Sequence, residues 1–183
     1  MTEIFNGSRR RFLQMGLVAV ACATATPALA MMPRTKGIKN LSFHNLHTDE
    51  HLQTSFWKDG SYSRAELEKI NKILRDHRSG DVFPMRPKLL DLVYDLQRNL
   101  GHHGTIEVIS GYRSPKTNAM LCSHSDGVAR HSLHTQGMAI DLRLNGVSLR
   151  QVQNAALFMS RGGVGFYPSS DFVHVDVGPV RRW

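Results

Sequence analysis

The stretch MAIDLRL, residues 138–144, alternates between two kinds of side chain along its length. Apolar side chains stand at its even-numbered positions, and the odd-numbered positions include Asp141. A period of two predicts a β-strand with one face on the core and the other on a cleft. Gly137 precedes the strand and permits a tight turn, so we expect His134 to fold back beside Asp141.

A second stretch, FVHVDV at residues 172–177, repeats this pattern. Its valines predict a core face, and Phe172, His174 and Asp176 share the opposite face. An imidazole on a largely buried strand needs a hydrogen bond or a metal ion as its partner. Two histidines and one aspartate form a set that suits Zn²⁺ and leaves a fourth position for water. The candidate ligands are therefore His134, Asp141 and His174.

The first thirty residues have the pattern of an export signal. SRRRFLQ, residues 8–14, is a twin-arginine motif, and an apolar run and the sequence PALA at residues 27–30 follow it. The apolar run is shorter than the ~20 residues that a spanning helix needs. We expect residues 1–30 to be a Tat-type signal peptide that delivers the chain to the periplasm or cell envelope. No stable membrane span is then expected after cleavage, and retention as an N-terminal anchor is the alternative.

Composition places one basic domain after this signal. The chain has 183 residues and a net charge of +8; residues 1–30 carry three Arg and one Glu, which leaves about +6. An anionic polymer of the cell envelope fits this charge better than nucleic acid does. Cys122 is the only cysteine after residue 30, so no internal disulfide is expected and the thiol is interpreted as inert.

The order of the remaining patterns predicts a small α+β domain at residues 41–183, preceded by a flexible lead-in at residues 31–40. A capping box, Ser63 to Glu66, begins the first predicted helix. The predicted helices are 64–77, 87–101 and 114–122, and the further strands are 41–47, 51–57 and 105–110. We expect an antiparallel sheet with helices packed on one side.

Several motifs together resemble one family of metallopeptidases. Ser132-x-His134-x-x-Gly137-x-Ala139-x-Asp141 with a late His174 resembles the signature of the zinc D-Ala-D-Ala carboxypeptidase and dipeptidase family, the VanX or LAS group. The stretches SGYRS (110–114), GGVGFY (162–167) and FVHVDVGPVRRW (172–183) are similar to the murein endopeptidases of that family. The resemblance covers nearly the whole chain after residue 30, and it implies a fold like that of the hedgehog domain and the D-Ala-D-Ala peptidases.

The resemblance also implies roles for single residues. One Zn²⁺ per chain would be held by His134, Asp141 and His174. Arg113 would hold a substrate carboxylate or the oxyanion that develops at the scissile bond. Tyr112 and Ser132 are implied as substrate-binding neighbours, and Ser132 could instead position His134.

The general base is left open between two aspartates. The broader family often has an acid three residues before its last zinc histidine, and Asp171 holds that position. Asp176 shares a strand face with His174, although an Asp beside a zinc histidine often orients that histidine instead. Asp171 is slightly preferred as the base, with Asp176 holding His174.

The implied activity is zinc-dependent hydrolysis of peptide cross-links in peptidoglycan. The expected bond joins two meso-diaminopimelate residues (the 3-3 type), and the bond between D-Ala and meso-diaminopimelate is the alternative cross-link. Two alternatives stay open: a D,D-carboxypeptidase or dipeptidase that trims stem peptides, and a non-catalytic zinc-containing module that binds the cell wall.

Overall fold

The computed structural model describes residues 36–125 and 127–183. The predicted signal peptide and residues 31–35 of the predicted lead-in lie outside these residues. None of the helices in the described part of the chain is long and apolar enough to cross a membrane.

One mixed sheet forms the centre of the described chain. Its strand order is β3-β2-β1-β4-β5-β7-β6-β8, with β1 next to β4 and β6 next to β8 in parallel and the other neighbours antiparallel. The strands are β1 Ile38–Asn45, β2 Glu50–Lys58, β3 Ser61–Tyr62, β4 Ile106–Ser110, β5 Ala139–Leu144, β6 Gly163–Tyr167, β7 Phe172–Asp176 and β8 Arg181–Arg182. The predicted α+β class is confirmed, but the sheet is not purely antiparallel.

Four helices and two short 3₁₀ turns accompany the sheet in the described residues. The helices are α1 Arg64–Ile73, α2 Pro87–Asn99, α3 Pro115–His124 and α4 Leu149–Met159, and the 3₁₀ turns are Leu133–Gln136 and Pro168–Ser170. The predicted cap of α1 is present, because the Ser63 side chain accepts a hydrogen bond from the Glu66 backbone. The helix ends at Ile73 rather than near His77, and the next residues contact the turn after β4.

The core lies on one face of the sheet. Alternate residues of β5 and β7 are almost fully buried there, together with apolar side chains of α1, α2 and α4. The opposite faces of the same two strands carry Asp141 and His174, which are paired across the β5–β7 ladder. Alternation along these strands thus separates the apolar core from a polar site, as the sequence predicts.

Other boundaries and elements also differ from the sequence predictions. β1 begins at Ile38, so the last three residues of the predicted flexible lead-in belong to a strand. The sequence prediction included neither α4 nor β6. A capping box at Ser148 and Gln151 begins α4, and it is the signal that could have revealed this helix.

Candidate metal centre and cleft

The three predicted ligands meet on the polar face of the sheet. His134 Nε2 lies 3.2 Å from Asp141 Oδ1 and 3.1 Å from His174 Nδ1, and the latter two atoms are 2.8 Å apart. All three side chains are buried. Residues that are distant in sequence therefore form one compact group of possible ligand atoms.

The outer nitrogens of both histidines already have partners. His134 Nδ1 lies 2.7 Å from the carbonyl oxygen of Gly111, and His174 Nε2 lies 3.1 Å from Asp176 Oδ2. Since both partners are acceptors, these nitrogens carry the protons and donate. The inner nitrogens are then lone-pair donors to a metal, and they face the Asp141 carboxylate.

Three acceptor atoms this close together fit a divalent cation. Two ligands at ~2.0 Å from a tetrahedral zinc ion lie about 3.3 Å from each other. Burial raises the pKa of Asp141, but its interactions with His134 and His174 outweigh burial and hold the pKa well below its usual range. The carboxylate is therefore anionic, and the group has the nitrogen and oxygen donors that zinc prefers.

The local sequence around His134 explains its placement. The 3₁₀ turn that carries His134 is capped by Ser132, whose Oγ accepts from the His134 backbone N–H at 3.3 Å. The turn ends at Gly137, which has φ of 64° and lies so close to Pro84 that a Cβ would stand 2.3 Å from its carbonyl oxygen. Only glycine fits both conditions, so the chain can reverse there between His134 and Asp141.

Arg113 reaches the centre from the turn between β4 and α3. Its backbone N–H donates to His134 O at 3.2 Å, and its Nη2 lies 3.6 Å from Asp141 Oδ2. The Nε atom is buried and has no hydrogen-bond partner among residues 36–125 and 127–183. The guanidinium is therefore incompletely paired beside the three candidate ligands, and Arg113 lines the cleft next to them.

Ser132 and Tyr112 are placed differently relative to the cleft. Ser132 lines the cleft beside the three ligands and caps the turn that carries His134. The ring of Tyr112 instead stacks on Phe83, with centroids 4.8 Å apart, and belongs to the apolar core. The structure does not bring Tyr112 to the cleft, because its side chain and that of Arg113 point in different directions from the turn.

A loop and an aromatic group form the remaining walls of the cleft. One wall consists of residues 127–129 and 131–133, and the other side is lined by Tyr167, Phe172, Arg181 and Trp183. Asn118 on α3 holds the loop by donating to the carbonyl oxygens of Ala129 and Arg130, each at 3.1 Å. The Cys122 thiol is free and half-buried, and it donates to Val128 O at 3.3 Å, so it also fastens this loop.

The two candidate bases have contrasting environments. Asp176 is fully buried against His174, whereas the Asp171 side chain is 62% exposed and forms an ion pair with Arg143. Arg143 also pairs with Glu107. Asp171 ends the second 3₁₀ turn and lies outside the residues that line the cleft. Only Asp176 thus contacts a ligand in this structure.

The structure adds residues that the sequence reasoning did not assign. Arg181 binds the carboxylate of Asp176, and Trp183 packs near the His174 ring. Both belong to the stretch FVHVDVGPVRRW, but strand alternation indicated no role for them because their partners lie on other strands. Among the described residues a second His/Asp group exists at His44, Asp49 and His51. It is largely exposed, and its two imidazoles stack at 4.0 Å and 10°, so their in-plane lone pairs do not converge.

Comparison with known proteins agrees with this geometry. The family model described as Peptidoglycan L,D-endopeptidase MepK matches residues 33–183. The chain is 42% identical over 180 residues to the peptidoglycan L,D-endopeptidase MepK of Escherichia coli (strain K12), covering 98% of each chain. It is 41% identical over 177 residues to the probable peptidoglycan L,D-endopeptidase MepK of Haemophilus influenzae, covering 96% of this chain and 95% of the relative. No solved structure is significantly similar to the chain.

Proposed function

Because the chain belongs to the peptidoglycan L,D-endopeptidase MepK family, we propose that it is a zinc-dependent peptidase that hydrolyses peptide cross-links of peptidoglycan. The observation that carries this proposal is the convergence of His134 Nε2, Asp141 Oδ1 and His174 Nδ1 within 3.2 Å. With the outer nitrogens of both histidines donating, the three inner atoms can offer their lone pairs to a single cation. A cleft opens beside them, and Arg113, Tyr167 and Trp183 are among the residues that line it.

Zinc at these three atoms would polarise the scissile carbonyl and lower the pKa of a bound water toward ~7. The protein residues around the site contribute orientation and charge. Gly111 and Asp176 fix both histidine rings through their outer nitrogens. Such outer partners set the tautomer of a ligand histidine and strengthen its lone pair.

Arg113 is the proposed electrostatic partner of the substrate. Its guanidinium lies beside Asp141, and its Nε lacks a partner in the described chain. A substrate carboxylate, or the oxygen that becomes negative as the amide is attacked, would complete its hydrogen bonds. Fixed donors placed where charge develops lower the barrier of acyl transfer.

Asp171 is the proposed general base, and Asp176 is proposed to hold His174. Both oxygens of Asp176 are already occupied by donors, so it has no free lone pair for a proton from water. Asp171 is accessible, and Arg143 keeps a second carboxylate partner in Glu107 if Asp171 turns toward the cleft. The position of Asp171 three residues before His174 matches the family pattern.

The proposed bond is the 3-3 cross-link between two meso-diaminopimelate residues. This bond joins an L centre to a D centre, which agrees with the printed name of the relatives. We further propose that residues 1–30 export the chain by the twin-arginine route and that it acts in the periplasm. The basic charge of the chain suits a polyanionic cell wall.

Digestion of purified sacculi, followed by mass analysis of the released muropeptides, tests the proposal. We expect loss of 3-3 cross-linked dimers and no activity from His134→Ala, with about one zinc per chain in the wild type. Loss of terminal D-Ala alone would instead identify a D,D-carboxypeptidase. Binding to sacculi without any change in the muropeptides would identify a non-catalytic module.

A further inference from the structure

We propose that Arg181 and Trp183 are positioning residues of the metal centre, which keep the His174 ring turned so that its Nδ1 faces the metal. Arg181 acts through Asp176, and Trp183 acts by packing against the ring itself. The inference deepens the proposed function and depends on His134, Asp141 and His174 being the metal ligands.

Asp176 is the link between Arg181 and His174. Its Oδ2 accepts from His174 Nε2 at 3.1 Å and from Arg181 Nη2 at 2.7 Å. Its Oδ1 accepts from the backbone of Gly163 and Gly178, at 3.0 and 2.8 Å, and from Arg181 Nη1 at 3.2 Å. The carboxylate is fully buried, and a buried charge needs an opposite charge as well as hydrogen bonds. Arg181 supplies that positive charge.

The two-pronged contact of Arg181 fixes the rotation of the Asp176 carboxylate. A guanidinium that binds both oxygens holds them in its own plane, which a single hydrogen bond does not. Oδ2 is thereby kept in front of His174 Nε2. If the carboxylate rotated away, His174 Nε2 would lose its hydrogen-bond acceptor. That hydrogen bond is what favours the present orientation of the ring over the flipped one. A flipped ring would present a carbon atom to the metal in place of Nδ1.

Trp183 supports the same ring from another side. Its centroid lies 5.2 Å from that of His174, and its Nε1 donates to Tyr167 Oη at 2.6 Å. The Trp183 backbone pairs with β6 through Val164 O and Phe166 N, both at 3.2 Å. Arg181 lies over the indole at 4.9 Å, so the two positioning residues also stabilise each other.

Two glycines of β6 leave room for this arrangement. A Cβ at Gly163 would lie 2.4 Å from Asp176 Oδ2 and 2.5 Å from Arg181 Nη1. A Cβ at Gly165, which pairs with His174 across the ladder, would lie 2.7 Å from the Trp183 ring. Side chains at either position would displace the contacts described above. The segment Arg181–Trp183 is therefore closely fitted to the metal centre, rather than lying on it loosely.

A zinc competition titration with a chromophoric chelator tests the inference without any substrate. We expect Arg181→Ala and Trp183→Ala to bind zinc about 10- to 100-fold more weakly than the wild type. Arg182→Ala is the matched control, since Arg182 is on the same strand but does not line the cleft, and its zinc affinity should equal that of the wild type. Arg181→Lys keeps the charge without the two-pronged contact, so it should recover only part of the affinity and also serves if Arg181→Ala does not fold.

Steady-state kinetics at saturating zinc separate positioning from direct contact with substrate. A positioning role predicts that kcat falls while KM stays near the wild-type value. Unchanged zinc affinity with a raised KM would overturn the inference, because Arg181 would then bind substrate. An equal loss in Arg182→Ala would also overturn it. A wild type that binds zinc at the three ligands but leaves cross-links intact would reject the proposed function while leaving this inference standing.

Discussion

Asp171 and Asp176 lie five positions apart in the sequence, but Asp171 is exposed and Asp176 is fully buried. Burial raises the pKa of Asp176, but hydrogen bonds from His174, Arg181 and two backbone amides outweigh burial and hold the pKa well below its usual range. A general base has to reach a water molecule, take its proton and release it again. A carboxylate that is saturated with donors cannot do this, whereas the exposed Asp171 would have to leave Arg143 and turn toward the cleft.

Asp171→Asn is therefore expected to lower kcat about 10²- to 10⁴-fold with zinc content unchanged. Asp176→Asn should instead weaken zinc binding, because the amide cannot accept all five hydrogen bonds that the carboxylate accepts. Muropeptide kinetics and metal analysis on both variants make the comparison. The assignment would be reversed if Asp176→Asn lost kcat at full zinc occupancy while Asp171→Asn kept it.

Gly137 is subject to two constraints, a left-handed backbone conformation and close packing against Pro84, whereas Gly146 is subject only to the first. Gly137 and Gly146 both have left-handed φ, 64° and 79°, but only at Gly137 would a Cβ meet another atom, 2.3 Å from Pro84 O. Gly146→Ala should cost about 1 kcal/mol of unfolding free energy for the backbone conformation alone. Gly137→Ala should cost at least about 3 kcal/mol, since the turn must also move. Urea denaturation of the two variants measures the difference, and equal losses would contradict the argument.

At the scale of elements, the loop after α1 holds the turn that carries Arg113. Asp76 is buried, and its carboxylate accepts from the backbone of Ser114 at 2.9 Å and of Arg78 at 2.9 Å. The backbone N–H of Tyr112 donates to Leu74 O at 2.7 Å. The end of one helix thus determines the path of a turn between a strand and another helix. Arg113 is positioned by contacts that are remote in sequence.

Asp76→Asn is expected to lower the unfolding free energy by about 2 kcal/mol at neutral pH. Burial raises the pKa of Asp76, but hydrogen bonds from Thr117, Ser114 and Arg78 outweigh it and leave the pKa well below its usual range. The stabilisation is thus present above about pH 4 and is lost as the pH falls toward the folded-state pKa. The difference between wild type and Asp76→Asn should shrink below about pH 4 in denaturation curves. Asp81→Asn, an exposed change in the same loop, should show little difference at any pH.

Sequence patterns predict those elements whose periodicity reflects burial on one side. The alternation in β5 and β7 agrees with the structure, and so does the Ser63 cap of α1. The reciprocal half of the predicted capping box is not formed, because the Ser63 backbone N–H donates to Phe56 O instead of the Glu66 side chain. Sequence patterns predict no element in residues 145–171, and the pattern of β6 is weak because two of its five residues are glycines. These glycines leave room for Arg181 and Trp183. Such contacts between residues distant in sequence cannot be predicted from local β-propensity. The parallel pairing of β1 with β4 likewise depends on contacts across more than sixty residues.

At the scale of the whole molecule, the two faces of the sheet have opposite surroundings, one apolar and the other polar. One face buries the apolar core against α1, α2 and α4, and the other presents Asp141 and His174 to the cleft. The sheet fixes the spacing of these two candidate ligands through the β5–β7 ladder. The sequence indicates the candidate ligands and Asp176 as the partner of His174, but Gly111 as the partner of His134 becomes apparent only when the strands are assembled.

Zinc binding should therefore stabilise the folded chain as a whole. The three converging acceptors exist only in the folded state, so a metal ion that binds them adds about 4 kcal/mol at a thousand times its Kd. For a domain of this size that corresponds to a rise in Tm of roughly 10 °C. Scanning calorimetry should show this rise when zinc is added to chelator-treated protein. His134→Ala should abolish the rise, whereas His44→Ala, in the exposed His/Asp group, should retain it. If His44→Ala alone lost the rise in Tm, the stabilising metal would instead bind at the group of His44, Asp49 and His51, because this substitution removes a possible ligand only there.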